Sequence, residues 1–245
     1  MASPWKVVWI TGASSGIGAE IAKQLAEAGV KVAVSARHFP GPRAHPNISQ
    51  FAVDVTDETA LSFAVDEIEQ TLGPIDLAIF AAGAYEPFKL ETFSTKTFMR
   101  INEVNYLGSV NALSSVLPRF MERKSGHIAF VASAAGYQGL TKSAYYGPTK
   151  AALINLAEAL WLELRPHGIN VSVVNPGFVE TPMTAANDFP MPFLMKPAHA
   201  AALTIKGLRA GRFEIAYPLP FVLILKTLQK LPQGLKLRLL GYLVS

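Results

Sequence analysis

Three side chains with complementary chemistry, Ser133, Tyr146 and Lys150, fall within SAAGYQGLTKSAYYGPTK. If the chain is helical from Tyr145 onward, Tyr146 and Lys150 lie one turn apart on one face. A phenol titrates near ~10 in isolation, and an ammonium beside it favours the phenolate. Tyr146 is therefore expected to exchange a proton closer to neutral pH. Ser133 follows the apolar run His127 to Val131, which reads as a buried strand. Open α/β sheets place their chemistry at such strand ends. A hydroxyl, a tunable phenol and a lysine could polarise a carbonyl and protonate its oxygen. A tyrosine four residues before a lysine is by itself a common surface pattern, so the surrounding elements decide.

Those elements begin with Lys6 to Ile10, a short β-branched run, followed by TGASSGIG (Thr11 to Gly18) and an amphipathic pattern through Ala28. Strand, glycine turn and helix in that order form a phosphate-binding context. Gly12 permits the tight turn, Gly16 lets backbone approach a pyrophosphate, and Gly18 lets helix and strand pack. The amides of Ser14, Ser15, Gly16 and Ile17 would sit at a helix N-terminus, where an anion is stabilised. A second strand, Lys31 to Ser35, runs into Ala36 and Arg37. An acid there would bind the ribose 2′-hydroxyl of NAD, whereas a guanidinium suits the 2′-phosphate of NADP. The alternative is a plain surface arginine.

The segment HFPGPRAHPN that follows has three prolines in ten residues, so this crossover is not expected to hold a full helix. A strand over Ile48 to Val53 ends in Asp54-Val55, where the carboxylate could accept from an adenine amine or cap a helix starting near Asp57. The strand Asp76 to Phe80 leads into Ala81-Ala82-Gly83, and a long helix is expected from about Phe98 to Arg123. Asn105 falls within it; buried there it could open the helical bonding pattern or hold a water, and otherwise it is a surface residue.

Composition narrows the class. A chain of 245 residues, 50% hydrophobic and 16% charged, suits one compact α/β domain. Without cysteine there is no disulfide, zinc–thiolate site or cysteine nucleophile. No metal-ligand cluster, repeat, membrane-spanning run or secretory leader is visible, and a cytoplasmic location is expected. The net charge of +4 equals the four basic residues of 219–245, a stretch with no acid. The body is neutral, so nucleic-acid binding is not expected.

The ordered set TGASSGIG, Asp54-Val55, AAG (Ala81 to Gly83), Asn105 in VNYLG, Ser133, YGPTK (Tyr146 to Lys150) and NPGFVET (Asn175 to Thr181) resembles the short-chain dehydrogenase/reductase family, from about Trp5 to Pro218. The resemblance implies a Rossmann-type, doubly wound, seven-stranded parallel sheet and an NAD(P) cofactor. It implies Tyr146 as general acid/base, Lys150 lowering its pKa and binding the nicotinamide ribose, Ser133 orienting a carbonyl, and Asn105 holding a proton-relay water. Pro176, Gly177, Val179 and Thr181 would position the nicotinamide, and Ala82 and Gly83 would lie beside the cofactor. Arg37 matches NADP-preferring members, which makes NADP(H) the expected cofactor. Two departures stand out. Ala81 replaces the usual asparagine, with some local stability expected lost, and the connection after Arg37 is short, leaving the outer strands less covered or covered by another segment.

The expected activity is hydride transfer between NADP(H) and a carbonyl or secondary alcohol. The other readings are a non-catalytic NADP-binding redox sensor and a membrane-peripheral scaffold. Specificity should come from the loops Tyr85–Phe93, Tyr137–Thr141 and Met183–Pro197. The last, rich in Phe and Met, suits an apolar or lipid-like substrate or packs as an ordinary lid. Residues 1–218 read as the domain and 219–245 as a C-terminal helical extension, two short helices basic on one side and leucine-rich on the other, with Lys226 and Lys230 sharing a face and Pro232 and Gly234 as breakers. Residues 221–245 could anchor to a membrane surface, pack on the chain's own body over the poorly covered face, or bind a subunit. A homodimer or homotetramer through the helices at 98–123 and 145–165 is expected by analogy.

Overall fold

The computed structural model describes residues 3–41 and 45–242. Seven strands form one parallel sheet: β1 (Val7–Thr11), β2 (Lys31–Ala36), β3 (Ile48–Ala52), β4 (Leu77–Phe80), β5 (Gly126–Val131), β6 (Ile169–Pro176) and β7 (Glu214–Tyr217). Their order is β3-β2-β1-β4-β5-β6-β7. The strands are mostly apolar because helices cover both faces of the sheet. Alternation along β1 divides the core: Val8 and Ile10 meet helices α1 (Gly16–Glu27) and α6 (Pro197–Arg209). Val7 and Trp9 face the opposite layer, made by α2 (Glu58–Leu72), the composite helix α3 (Thr95–Asn102) and α4 (Gly108–Arg123), and α5 (Gly147–Leu164). Trp9, Phe80 and Phe130 step across three strands of that face edge to face, at 5.9 and 5.4 Å. From β1 the chain winds outward to β2 and β3, then returns to β4 on the other side. The carboxyl ends of β1 and β4 therefore diverge and leave a crevice.

Local chemistry moved some boundaries. The long helix starts at Thr95 rather than Phe98, because the Ser94 hydroxyl accepts from the Thr97 amide at 3.2 Å and caps it. Its middle, Glu103–Leu107, widens into a π-turn around buried Asn105. Asp57 caps α2 through the Ala60 amide at 2.9 Å. Asp54 does not cap it; its carboxylate turns back on the amide and hydroxyl of Thr56, both at 3.0 Å.

The crossover from β2 to β3 has no helix among its described residues. Its face is covered by α1 and by half-buried Phe39, and Asn47 Nδ2 bonds the Ala26 carbonyl at the end of α1 at 3.1 Å. The C-terminal segment does not cover that face. It forms α7 (Leu219–Gln229) and α8 (Gln233–Tyr242), and α7 lies against β7, the opposite edge of the sheet. Val222, Leu225 and Leu228 are its buried residues. Lys226 and Lys230 lie one turn apart on one side of α7, but Lys226 is paired with Glu214. The expected division of α8 into basic and leucine faces fails: Lys236 and Arg238 are two residues apart, roughly 200° round a helix. Pro232 marks the break, whereas Gly234 lies inside α8. Among the described residues no helix is long and apolar enough to cross a membrane.

Candidate active site

The crevice floor is the turn after β1. Gly12 has φ +67°, and a Cβ there would lie 2.4 Å from Ala82 Cα. Its amide donates to the Ser35 carbonyl at 2.7 Å. The Thr11 hydroxyl accepts from the amides of Ala81 and Ala82 at 3.2 and 3.4 Å. That hydroxyl clamps β1 to the end of β4 at the position where Ala81 offers no side-chain amide. A Cβ on Gly18 would meet the Gly12 carbonyl oxygen at 2.8 Å, so α1 sits directly on the turn. Ser15 heads α1 in extended conformation with no side-chain cap bond, leaving first-turn amides free for an anion.

Tyr146 immediately precedes α5, and Lys150 closes the first turn by donating its amide to the Tyr146 carbonyl at 3.3 Å. The Lys150 ammonium lies 5.4 Å from the Tyr146 ring centroid and donates to the Val131 carbonyl at 2.9 Å. The Ser133 hydroxyl accepts from the Ala135 amide at 3.1 Å and reaches the Pro176 carbonyl at 3.4 Å. Tyr85 sets its ring edge against Tyr146 at 5.4 Å.

The expectation that Lys150 draws the phenol toward neutrality is reversed. Burial pushes the Tyr146 hydroxyl up from its ordinary value; a bond with Ser133 pulls the other way, and Tyr85 adds to the rise. Lys150 sits over the ring and is bonded to a carbonyl, so desolvation of the phenol dominates. Burial also lowers Lys150, to about 8. At neutral pH the pair is a neutral phenol beside a mostly protonated amine.

Asn105 is fully buried and stands behind the wall rather than in it. Its Oδ1 accepts from the Ala84 amide at 2.6 Å, while Nδ2 donates to the Ala84 carbonyl at 3.0 Å and to Thr149 Oγ1 at 3.1 Å. The carboxamide thus ties the chain beyond β4 to α5. Its oxygen and the Lys150 ammonium both flank Gly83, at 3.6 and 3.8 Å from where a Cβ would be.

All the other residues singled out above line this one crevice: Gly12, Ser14, Ser15, Gly16, Ile17 and Gly18 on the floor, Arg37, Asp54 and Val55 at the β2–β3 end, Ala82 and Gly83 after β4, Ser133, Tyr146 and Lys150 at the far end, and Pro176, Gly177, Val179 and Thr181 after β6. The residues fit a dinucleotide. A side chain on Gly12 would fill the cradle, and one on Gly16 would meet Thr181 Cγ2 at 3.1 Å. Among the described residues no carboxylate lies within ion-pairing distance of exposed Arg37.

Two groups escaped sequence reasoning. Met183 and Thr184, read from the sequence only as the start of a substrate-side loop, also line the cofactor crevice, and Thr184 Oγ1 accepts from the Thr181 amide at 2.9 Å and donates to the Val179 carbonyl at 2.6 Å. The Thr-x-x-Thr spacing was the available signal. The second group is a polar hub behind Ser133. Glu214 Oε1 accepts from the Tyr137 hydroxyl at 2.6 Å and from Asn175 Nδ2 at 3.0 Å, and Lys226 pairs with Oε2. Burial alone would raise Glu214, but its bonds from Lys226, Tyr137 and Asn175 hold it below its ordinary value. Gln229 donates to the Tyr137 carbonyl, so α7 grips the Ser133 loop twice. No local sequence pattern joins residues so far apart.

Of the substrate-side loops, Tyr85–Phe93 is anchored by buried Tyr145, whose hydroxyl accepts from the Ser94 amide at 2.7 Å and whose ring meets Phe88 at 5.1 Å. In the third loop Phe189 meets Phe178 at 6.1 Å, and Phe193 meets Phe221 of α7 at 6.5 Å. Phe178 and Phe221 themselves are 5.7 Å apart.

Comparison with known proteins agrees with this architecture. The family model described as short chain dehydrogenase matches residues 6–189. An uncharacterized oxidoreductase of Myxococcus xanthus is 34% identical over 239 residues, covering 94% of each chain. A 3-dehydrosphinganine reductase of Danio rerio is 32% identical over 233 residues, 86% of this chain and 70% of the relative. A Burkholderia cenocepacia short chain dehydrogenase solved in complex with NADP superposes with TM-score 0.83 at 26% identity, over 95% of this chain and 96% of that one.

Proposed function

The chain belongs to the short-chain dehydrogenase family of oxidoreductases, and on that premise we propose that it uses NADP(H) to interconvert an apolar ketone and its secondary alcohol. The observation that carries the proposal is that Ser133, Tyr146 and Lys150 share one crevice with the glycine turn and Arg37. NADPH, when bound, supplies the hydride. The turn amides at Ser14 to Ile17 would hold its pyrophosphate and Arg37 its 2′-phosphate. Ser133 would hold the substrate oxygen, and Tyr146, kept protonated by burial, would donate the proton that completes the alcohol. Lys150 would stabilise the phenolate left behind. Asn105 would fix Ala84 and Thr149, and through them the start of α5.

The apolar substrate class is supported by the aromatic cluster of Phe178, Phe189 and Phe221 beside the substrate-side loop after β6 and by the relative named 3-dehydrosphinganine reductase. The test follows NADPH absorbance with a panel of ketones graded in chain length. Turnover should rise with apolar length and vanish in Tyr146→Phe, whose affinity for NADPH stays near that of the parent protein. Tight NADPH binding without turnover on any ketone would instead favour a binding protein that senses the cofactor.

A further inference from the structure

The outer face of α7 carries large apolar side chains in the open. Its inner side is fixed by Val222, Leu225 and Leu228 and by the pairing of Lys226 with Glu214, so the helix cannot roll over. At 100° per residue the opposite arc carries Leu219, Leu223 and Ile224, with Lys230 at its end. Leu223 is 61% exposed and Leu219 66%. Exposed Phe193 adjoins this arc through Phe221, so the apolar surface extends onto the loop after β6. α8 follows, and none of residues 233–241 is buried. A contiguous patch of this kind on a folded domain marks an interaction site.

Charge identifies the partner. No acidic residue follows Glu214 in the chain. With Lys226 paired internally, Lys230, Lys236 and Arg238 are in no ion pair among the described residues. The four basic residues of 219–245 supply the chain's whole excess of +4, and three of them, Lys230, Lys236 and Arg238, sit beside the exposed leucines without a partner acid among the described residues. A second copy fits this face poorly. A two-fold interface would set the three cations against themselves with no acid to meet them. Leucines flanked by cations do fit the boundary between acyl chains and anionic headgroups. We propose that α7, α8 and the Phe193 loop dock on the surface of an anionic lipid bilayer. Docking lays the protein on the membrane without crossing it. Because α7 also touches Gly177 in the crevice wall, where a Cβ would meet Phe221 Cδ1 at 3.0 Å, it holds the catalytic crevice beside the lipid.

The test is co-sedimentation of the full chain with vesicles of phosphatidylcholine alone and with about a third phosphatidylglycerol, read without turnover and so independent of the catalytic assignment. Binding should require the anionic lipid and weaken as salt is raised. The triple change Lys230→Gln, Lys236→Gln, Arg238→Gln should weaken it on the order of a hundredfold, at about fivefold per cation. The double change Leu223→Ser, Ile224→Ser should weaken it at least about tenfold. Both variants should keep the parent's melting temperature and NADPH affinity, which separates lost docking from lost folding. The proposal is overturned if the parent chain ignores anionic vesicles or if the triple variant binds them equally. It is also overturned if ultracentrifugation shows Leu223→Ser, Ile224→Ser dissociating an oligomer while the parent fails to bind lipid.

Discussion

Replacing Gly12 with alanine tests the close approach of β1's turn to the end of β4. The new Cβ would sit 2.4 Å from Ala82 Cα, 2.5 Å from its nitrogen and 2.7 Å from the Ala81 carbonyl carbon. All three are backbone atoms, so no side chain can swing aside. Adopting φ +67° costs an L-residue about 1–2 kcal/mol, and forcing the strands apart adds about 1–3 kcal/mol. At ~2–4 °C per kcal/mol for a domain of this size, the melting temperature should fall by roughly 5–20 °C. The displaced turn also carries the amides assigned to the pyrophosphate. Thermal melts with NADPH at about 100 times the parent's dissociation constant should stabilise the parent by ~2.7 kcal/mol and Gly12→Ala by much less. Gly29 supplies the control: its φ is +83°, but a Cβ there meets nothing within 4 Å. Gly29→Ala should show only the backbone cost and keep the full cofactor-induced shift. If Gly12→Ala melts no lower than Gly29→Ala and gains as much from NADPH, the steric argument is refuted.

Arg37→Ala should weaken NADPH on the order of tenfold while sparing NADH, measured by fluorescence titration, and equal losses would remove the 2′-phosphate assignment. Buried His127 is held down to about 4 by desolvation, with its Nε2 2.8 Å from the Ser172 hydroxyl. Its folded pKa lies below the ordinary 6.5, so the stability it contributes is complete above that value and is lost as pH falls toward 4. The loss amounts to ~3 kcal/mol, visible as a falling urea midpoint that flattens in His127→Gln. Lys226→Met should cost only about 1 kcal/mol, because both it and Glu214 are partly exposed, with side-chain exposures of 39% and 30%. Loosening Tyr137 should nevertheless lower kcat more than it raises KM, and Lys226→Arg should restore it. A Lys226→Met enzyme with parental kcat would show that the hub is only structural.

Much of the molecule was legible before any coordinates. Buried parallel strands are largely apolar, so β1 to β5 could be read as short runs, such as KVVWI or HIAFV, whereas β6, interrupted by Asn170, Ser172 and Asn175, was not read as a strand. The glycine turn and the Tyr146–Lys150 pair were visible for a related reason. A phosphate cradle and a helix turn are local, and their spacing is set by backbone geometry over a few residues. What stayed hidden depended on distance and solvent. The sequence places a lysine near a phenol, but the direction of the phenol's pKa follows from how far water is excluded, and burial outweighs the bond with Ser133 that pulls the other way. Asn105 showed as a polar residue in a helix, yet only the fold brings Ala84 and Thr149 to its two ends. The same holds for Lys226, which in the chain belongs to a basic tail and in space closes a carboxylate behind Ser133. Residues a turn apart meet because the backbone obliges them to; residues 89 apart, such as Tyr137 and Lys226, meet only once the sheet has set where its edges lie.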